Sequence, residues 1–475
     1  MKRRRKGMRV YWWIVAWCLG MGVGAAAGGA EVGVDCSKVV GQIRTLHGGN
    51  SGPMGYGEML DMSEYHRQLA IPFSRLHDPN WPCANVVDVH SIFANLGADA
   101  TLEASYDFRR SDDYIAPIVK VGSGIVYRLG ESIEHTKRKY YVNPPVDYQK
   151  WTAVCLGIIS HYNEGWANGF KYDIKYWEIW NEPENKPAMW TGSDEDYFRL
   201  YEVAAKAIKA KWPGLKVGGP SLGYTGKIVN GKSEAGEYMV KFLEYCRAKA
   251  LPLDFFSWHL YTNDPRECVV RAKGIREVLD RYGFKGAEMH FNEWNYLPDN
   301  DWGPMGLKGQ GVARERFYDR IGGAEGAAFS ASVLMELQDT RVDVANYYAF
   351  DHQGFGLFNF HGVPKKTFYA FRAFRMLLDT PVRVETKSEG GARALAGVNA
   401  EKTGVGVLVS YCGKGEEKLR VRIEKLPFEK GEWEVLAVDG GRELARVGGG
   451  RVDGSAAKIE LEAKGPGVWF VKVKP

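Results

Sequence analysis

Short apolar segments alternate with amphipathic helical patterns along residues 40 to 378. The apolar segments have the length of strands, and the helical patterns repeat their apolar residues with a period near 3.6. Regular strand–helix alternation over this length predicts an α/β fold, a parallel (β/α)8 TIM barrel. The absence of a Gly-x-Gly-x-x-Gly motif after an early strand argues against a dinucleotide-binding sheet. The eight strand candidates are 43–47, 73–77, 124–129, the run before 182, 216–220, 255–261, the run before 293 and 345–350.

The pattern changes at about residue 380. From there, short runs of alternating apolar and polar residues lie between turns rich in glycine and charge. This pattern predicts a small C-terminal antiparallel β-sandwich, and the glycine-rich stretch 440–454 is predicted to be a hairpin turn within it. We therefore divide the chain into a barrel at 31–378 and an accessory β-sandwich domain at 379–475.

The first 30 residues have the layout of a secretory signal peptide. Six basic and no acidic residues occur there, and the apolar segment 10–23 is followed by small residues. That segment is short for a membrane span, so we expect cleavage and a secreted or periplasmic protein. An uncleaved N-terminal anchor is the alternative.

Removing this leader changes the charge of the chain. The formal net charge falls from +5 to −1, because six positive charges leave with it. The basicity therefore belongs to the export signal, and we expect no nucleic-acid partner and no membrane span in the mature chain. The sequence leaves the oligomeric state open.

Cysteine and histidine spacing predicts no metal and no cofactor. Six cysteines follow residue 30, and none forms a Cys-x-x-Cys pair, which zinc and redox motifs require. Disulfides are possible in an exported chain, but the sequence does not define their pairing. A metallohydrolase would need ligands at strand ends with a recognisable spacing, which His77, His259 and His290 lack.

Two glutamates end two of the strand-like runs. Glu182 closes YWEIWNE at 176–182, and Glu293 lies in HFNEWN at 290–295. A carboxylate at the end of a barrel strand is costly to desolvate unless it takes part in chemistry. The βα loops bring the fourth and seventh strands to one face, where paired carboxyls indicate an acid and a nucleophile for glycosidic bond cleavage. Glu178 lies deeper on the same strand, so we assign it a structural ion pair.

The order Asn-Glu on the fourth strand and Glu on the seventh resembles the clan of retaining (β/α)8 glycoside hydrolases. Within that clan the chain is most similar to glycoside hydrolase family 39, the β-xylosidase and α-L-iduronidase family. The similarity implies that Glu182 is the general acid/base, that Glu293 is the nucleophile, and that the partner is an oligosaccharide or polysaccharide substrate. It spans about 300 residues, in the segments WEIWNEP at 177–183, SRLHD at 74–78, FFSWHLY at 255–261, GFGLFN at 354–359, GVPK at 362–365 and YAF at 369–371.

Polar residues on the second and fourth strands are candidate substrate contacts. Asn181 would donate to the sugar 2-hydroxyl, or it is a turn amide at the strand end. Arg75 and His77 alternate with Leu76 and therefore both point inward. The arginine would hold Glu293 ionised, whereas His77 would contact the substrate or lie hydrogen-bonded in the core.

The sixth and seventh strands add three further candidates. His259 and Tyr261 share one face of the sixth strand, and the family resemblance implies that Tyr261 bonds the nucleophile. Trp294 follows the nucleophile directly and would stack on a sugar or fill the core, since the chain has 15 tryptophans and many must be core residues.

The end of the eighth strand departs from the clan. Many members place a tryptophan there as a floor for the sugar, but residues 347–352 read YYAFDH. Tyr348 or Phe350 would replace the tryptophan, or the pocket is wider or polar, so xylosidase specificity is not carried over. Two further functions fit the same barrel: a carbohydrate-binding pseudoenzyme, against which both glutamates argue, and a transglycosylase.

Overall fold

The structure, a computed structural model, describes residues 29–54, 60–79, 83–306, 309–352 and 354–475. The predicted signal peptide lies, except for its last two residues, outside the described part of the chain. The first described element is a strand, β1 (Glu31–Gln42). Across the described ranges, no helix combines the length and the apolarity that crossing a membrane requires.

Eight parallel strands close into a barrel, which confirms the predicted (β/α)8 fold. Each strand pairs with its predecessor in the barrel, and the eighth pairs with the first. An antiparallel hairpin is inserted after the fifth strand. The barrel strands are β2 (Gly48–Asn50), β3 (Phe73–Leu76), β4 (Gly124–Leu129), β5 (Tyr176–Ile179), β6 (Lys216–Leu222), β9 (Phe255–Thr262), β10 (Glu288–Tyr296) and β11 (Val344–Tyr347). The inserted hairpin consists of β7 (Gly226–Val229) and β8 (Lys232–Ala235).

Helices cover the outside of the barrel, and local sequence explains where several begin. Ser193 and Asp196 form a capping box at the start of α5, which satisfies backbone N–H groups that the first turn leaves unpaired. At the start of α7, the side chain of Asp264 accepts a hydrogen bond from the backbone N–H of Arg266, and a proline occupies the first helical position. The helices are α1 (Ser63–Leu69), α2 (Val89–Ile92), α3 (Arg109–Lys120), α4 (Tyr148–Asn163), α5 (Asp194–Lys211), α6 (Glu237–Ala248), α7 (Pro265–Arg281), α8 (Val312–Gly322), α9 (Ala324–Glu336) and α10 (Lys366–Leu377).

The C-terminal strands join β1 in a nine-stranded, mainly antiparallel sheet with the order β17-β16-β19-β14-β13-β12-β1-β15-β18. Buried residues from both ends of this sheet share one hydrophobic core, so the sheet folds over on itself as a sandwich. Its C-terminal strands are β12 (Val382–Ser388), β13 (Ala392–Val398), β14 (Val405–Tyr411), β15 (Glu417–Glu424), β16 (Lys430–Asp439), β17 (Arg442–Asp453), β18 (Ala457–Ala463) and β19 (Gly467–Lys474).

The limits predicted for the two domains need one correction at the N-terminus. Strand β1 pairs antiparallel with β12 and parallel with β15, so it belongs to the sandwich and not to the barrel. Its alternate residues Val32, Val34 and Cys36 are buried in the sandwich core. A strand whose partners lie more than 300 residues away gives no local hairpin signal, which is why the sequence pattern missed it.

The glycine-rich stretch predicted as a turn is mostly a strand. Its residues form β17, which pairs with β16 along its length. The indole of Trp433 covers Gly450, because a Cβ built on that glycine would lie 2.6 Å from Trp433 Cζ2. A cross-strand aromatic ring supplies the apolar contact that a strand glycine lacks.

The sandwich packs against the helices that follow the seventh and eighth barrel strands. Leu395 and Leu408 point into the barrel core, while their neighbours in sequence point into the sandwich core. At the end of α9, Arg393 Nε donates to Glu336 Oε1 at 2.8 Å. The accessory domain therefore braces α9, the helix that connects β10 to β11.

Candidate active site

The fourth and seventh barrel strands deliver two carboxyl groups to one cavity. Glu182 lies three residues beyond β5, in a turn held by the hydrogen bond from its own N–H to Ser221 O at 3.0 Å. Glu293 lies within β10, where the register with β9 shifts between Phe291 and Glu293. Such an irregularity re-aims a side chain. One carboxylate oxygen of each glutamate and a ring nitrogen of His259 all lie within 4.8 Å of one another.

The cavity has a volume of about 570 Å³. Its lining combines carboxyl, amide and imidazole groups with aromatic rings, a mixture that suits a sugar because sugars carry both hydroxyl groups and apolar faces. The described lining residues are Asp78, Asn85, Ile133, His135, Glu182, Asn185, Gly223, His259, Tyr261, Glu293, Trp302, Met305, Tyr318, Tyr348 and Phe355.

Arg75 joins the nucleophile candidate to the barrel interior. Its Nη1 donates to Glu293 Oε2 at 3.1 Å, and its Nε donates to Glu178 Oε2 at 2.8 Å. The arginine and Glu178 are both fully buried, and Glu178 forms the structural ion pair that its position on the strand predicted. A buried guanidinium between two carboxylates pairs with both of them and fixes their geometry.

Tyr261 supplies a second donor to the same carboxylate. Its hydroxyl donates to Glu293 Oε1 at 2.8 Å, so each oxygen of Glu293 receives a hydrogen bond from a fixed group. Burial and the charge of Glu293 raise the pKa of Tyr261 well above its ordinary value, and the phenol therefore stays a donor. The two donors together hold the orientation of the Glu293 carboxyl group.

Glu182 meets different partners. His259 Nδ1 lies 2.8 Å from Glu182 Oε1, and Asn185 Nδ2 donates to Glu182 Oε2 at 2.9 Å. Burial raises the pKa of Glu182, but the hydrogen bond and the charge of His259 lower it more, so that the pKa lies below its ordinary value. Burial lowers the pKa of His259, yet the charges of Glu293 and Glu182 raise it above its ordinary value. A lowered pKa for Glu182 and a raised pKa for His259 describe an ion pair, with the negative charge on Glu182 and the proton on His259.

Both ring nitrogens of His259 are engaged within the protein. Its Nε2 lies 2.7 Å from Ser221 Oγ, while its Nδ1 faces Glu182. The prediction that His259 contacts the sugar does not fit this arrangement, because the ring has no nitrogen left for a sugar hydroxyl. The geometry instead makes His259 a positioning residue for Glu182.

Asn181 and His77 lie behind the cavity surface and are almost fully buried. Asn181 Oδ1 accepts from Arg75 Nη2 at 2.6 Å, which orients the amide. Arg128 Nε donates to His77 Nδ1 at 3.3 Å, and His77 Nε2 lies 3.3 Å from Asp78 Oδ2. Burial and the charges of Arg75 and Arg128 hold the pKa of His77 well below its ordinary value, so the neutral ring donates to Asp78.

Trp294 is a core residue and not a sugar platform. It is fully buried, and its ring packs at 83° against that of Tyr347 with 5.1 Å between centroids. Side chains alternate along β10, so the residue after Glu293 points away from the barrel interior. The aromatic residues that do line the cavity include Tyr348, one of the two replacements predicted at the eighth strand, and Trp302.

Asp78, Asn185 and Gly223 are among the lining residues of the cavity that the sequence patterns missed. Asp78 lies within the SRLHD motif next to His77 and lines the cavity. Asn185 follows Glu182 by three residues in the same turn, and this short spacing could have indicated the contact between them. Gly223 lies against Glu182, since a Cβ there would lie 2.4 Å from Glu182 Oε1, and local sequence carried no signal for that contact.

Among the described residues, two clusters bring potential metal ligands together, but hydrogen bonds occupy their ligating atoms. In the cavity, His259 bonds Glu182 and Ser221. In the other cluster, Arg128 Nη2 donates to Asp88 Oδ1 at 2.5 Å, so a guanidinium already supplies the positive charge that a cation would bring. The clusters are Glu182 with His259 and Glu293, and Asp88 with His90 and Glu131.

A closed eight-stranded barrel with two strand-end carboxyls on one cavity is the architecture of the (β/α)8 glycoside hydrolase class. Comparison with known sequences identifies the family: the profile of Glycosyl hydrolases family 39 matches residues 86–391. The chain belongs to this family.

Individual relatives agree with this assignment. A beta-xylosidase of Geobacillus stearothermophilus is 30% identical over 319 residues, which are 61% of this chain and 60% of that protein. The chain thus spans about three fifths of the length of this curated relative.

Solved structures share the fold along nearly the whole chain. A glucosidase from Croceicoccus marinus has a TM-score of 0.76 at 22% identity, over 94% of this chain and 99% of that chain. A GH39 enzyme from Xanthomonas axonopodis pv. citri has a TM-score of 0.71 at 17% identity, over 96% of this chain and 99% of that chain.

Proposed function

We propose that this protein is an exported retaining glycoside hydrolase that cleaves oligosaccharides or polysaccharides by double displacement. Glu182 is the general acid/base and Glu293 the nucleophile. The observation that carries this proposal is the approach of the two carboxylates to within 4.8 Å beside one cavity. Retaining enzymes hold their two carboxyl groups about 5–5.5 Å apart, whereas inverting enzymes leave about 6.5–9.5 Å for a water.

In the first step, Glu293 attacks the anomeric carbon while Glu182 donates its proton to the departing glycosidic oxygen. Arg75 and Tyr261 hold the attacking carboxylate in position, so little reorganisation is required before the attack. The bond to the leaving group breaks, and a glycosyl ester forms on Glu293. The negative charge that develops on Glu182 is stabilised by His259 and Asn185.

In the second step, Glu182 acts as a base. Its carboxylate accepts a proton from a water molecule, which attacks the anomeric carbon of the ester. The bond to Glu293 breaks, the sugar leaves with its original anomeric configuration, and Glu182 regains its proton. The ring of His259, 2.8 Å from Glu182, supports this change of role, because a titratable partner can supply a proton to the carboxyl group and take one back.

Two further observations support the substrate class and export. The relatives are named as a beta-xylosidase and a glucosidase, so aryl xylosides and glucosides are the first compounds to assay. The basic segment and the apolar run at the start of the chain have the order of a secretory signal. Sequencing the N-terminus of the exported protein tests the cleavage.

The decisive experiment compares Glu182→Ala and Glu293→Ala with the unchanged protein on aryl glycosides of xylose, arabinose, glucose, fucose and uronic acids. We expect each variant to lose activity by about 10²–10⁴-fold on substrates that need acid assistance. Azide should restore turnover in both variants, with opposite anomers of the glycosyl azide as products. Proton NMR of the azide products measures the configuration.

A matched control is Glu401→Ala, which removes an exposed carboxylate from a turn of the accessory domain and should leave turnover unchanged. Normal turnover in either cavity variant would refute the role given to that residue. Sugar transfer to an added alcohol that exceeds hydrolysis would indicate a transglycosylase. Binding without turnover by the unchanged protein would indicate a pseudoenzyme.

A further inference from the structure

Asp78 places a third carboxyl group on the cavity beside the two glutamates. It lies two residues beyond the end of β3, and its side chain is 17% exposed. It lines the same cavity as Glu293, and burial, followed by the charge of Glu293, raises the pKa of Asp78. Neither step of the proposed double displacement uses the Asp78 carboxyl group.

The protein fixes the Asp78 carboxyl from behind. Ile133 N donates to its Oδ1 at 3.2 Å, and the neutral ring of His77 lies 3.3 Å from its Oδ2. The ring of His77 is itself held by Arg128. A carboxylate offers about four acceptor positions, so a carboxyl anchored in this way can also accept from a ligand in the cavity.

The charges around the cavity favour hydroxyl groups over another carboxylate. Three carboxyl side chains line it, and among the described lining residues none is lysine or arginine. The nearby guanidinium of Arg75 is fully buried and bonded to Glu178 and Glu293. Burial and the charge of Glu293 raise the pKa of Asp78 to about 7, and both effects also disfavour an additional negative charge beside it.

We propose that Asp78 is a specificity-determining residue that accepts hydrogen bonds from hydroxyl groups of a neutral sugar bound at the nucleophile and disfavours a uronic acid there. This inference rests on the proposed glycosidase function. Sugar hydroxyls donate to a fixed carboxyl, whereas a uronate would bring a fourth carboxylate into a cavity without a lining lysine or arginine among its described residues.

The test uses the unchanged protein, Asp78→Ala and Asp78→Asn. First, kcat/KM is measured on aryl glycosides of neutral sugars and of uronic acids. Then each ring hydroxyl of the best neutral substrate, apart from the 2-hydroxyl, is removed in turn in deoxy analogues. We expect a neutral substrate to be preferred, and Asp78→Ala to lower its kcat/KM by about 10- to 100-fold.

The deoxy analogues separate sugar recognition from a structural role. In the unchanged protein, at least one deoxy analogue should be a poor substrate, and Asp78→Ala should no longer distinguish it from the parent sugar. Asp78→Asn retains an acceptor oxygen, so its discrimination between the parent sugar and the deoxy analogue should lie between that of the unchanged protein and that of Asp78→Ala. Asp173→Asn is the matched control, because Asp173 is 80% exposed and precedes β5 at the opposite end of the barrel.

Two outcomes overturn the inference without touching the proposed function. One is a preference of the unchanged protein for a uronide, and the other is the same deoxy discrimination in Asp78→Ala as in the unchanged protein. If the alanine variant does not fold, as judged by circular dichroism, the asparagine variant and the comparison of uronides with neutral glycosides still test whether Asp78 determines specificity. If no glycoside is hydrolysed at all, the proposed function fails and this inference fails with it.

Discussion

Glu182 and Glu293 are the same residue type at the mouth of one barrel, but their surroundings differ in the kind of donor. Glu293 accepts from a buried arginine and from a phenol, neither of which loses its proton near neutral pH. Glu182 faces an imidazole and a side-chain amide, and the imidazole titrates. Fixed donors suit a group that must stay ionised, and a titratable partner suits a group that must give up and regain a proton.

Replacing the permanent donor should have the largest effect. Arg75→Met leaves Glu178 and Glu293 buried without their shared cation. Breaking a buried ion pair costs about 3–5 kcal/mol of unfolding free energy, and loss of a fixed donor at the reacting group costs about 10²–10³-fold in kcat. Urea unfolding followed by circular dichroism measures the first effect, and turnover of an aryl glycoside measures the second.

The matched control for this prediction is Arg109→Met, because Arg109 is 87% exposed and pairs with Asp107 at the surface. Exposed pairs contribute about 0–1 kcal/mol. If Arg75→Met unfolds at the same urea concentration as this control, the buried carboxylates do not need the permanent cation for stability. The contrast drawn between the surroundings of Glu293 and those of Glu182 then fails.

Displacing the acid should have an intermediate effect. The Cβ of Gly223→Ala would lie 2.4 Å from Glu182 Oε1, and its φ is not left-handed, so the change acts through contact and not through backbone strain. We expect about a 10²-fold loss of kcat on substrates with poor leaving groups. On dinitrophenyl glycosides, whose leaving group needs no proton, the loss of kcat in Gly223→Ala should be much smaller.

Gly214→Ala is the control for this glycine, since a Cβ there meets no heavy atom within 4 Å. Equal losses on both kinds of leaving group would show that Gly223 shapes the cavity wall for the substrate and does not position the acid.

Removing the titratable partner should have the smallest effect, a shift in pH dependence. His259 lowers the pKa of Glu182 against the effect of burial, so His259→Gln should raise that pKa. The alkaline limb of kcat/KM reports the acid in the free enzyme, and it should move to higher pH because the pKa-lowering contact is lost. His361→Gln, at an exposed turn, should leave the profile in place. A limb that stays fixed or moves to lower pH in His259→Gln would show that His259 does not lower the pKa of Glu182.

Much of the barrel could be predicted from the chain alone. Strand 124–129 has the same limits in the pattern and in the structure, and the inward alternation of Arg75 and His77 follows from the period of a strand. Predictions were weaker where a strand is short. The first barrel strand is the three-residue β2 (Gly48–Asn50), and the pattern placed it five residues too early, in the apolar run before it.

The residues around the two glutamates were harder to predict, because their partners come from different strands. Trp294 follows Glu293 in a motif, but the alternation of β10 points it into the core. His259 lies on the correct strand, yet only the turn after β5 brings Glu182 within 2.8 Å of its ring. Trp302 joins the cavity from a loop, where no period defines the direction of a side chain.

The sequence by itself determined the barrel and the accessory β-domain and singled out two candidate carboxyl groups, because burial periodicity and a local motif are properties of neighbouring residues. Tertiary structure alone decided that β1 joins the C-terminal sheet, that His259 serves Glu182, and that Asp78 faces the cavity. Those contacts join segments from about 50 to more than 300 residues apart. They depend on strand register and loop path, which neighbouring residues do not encode.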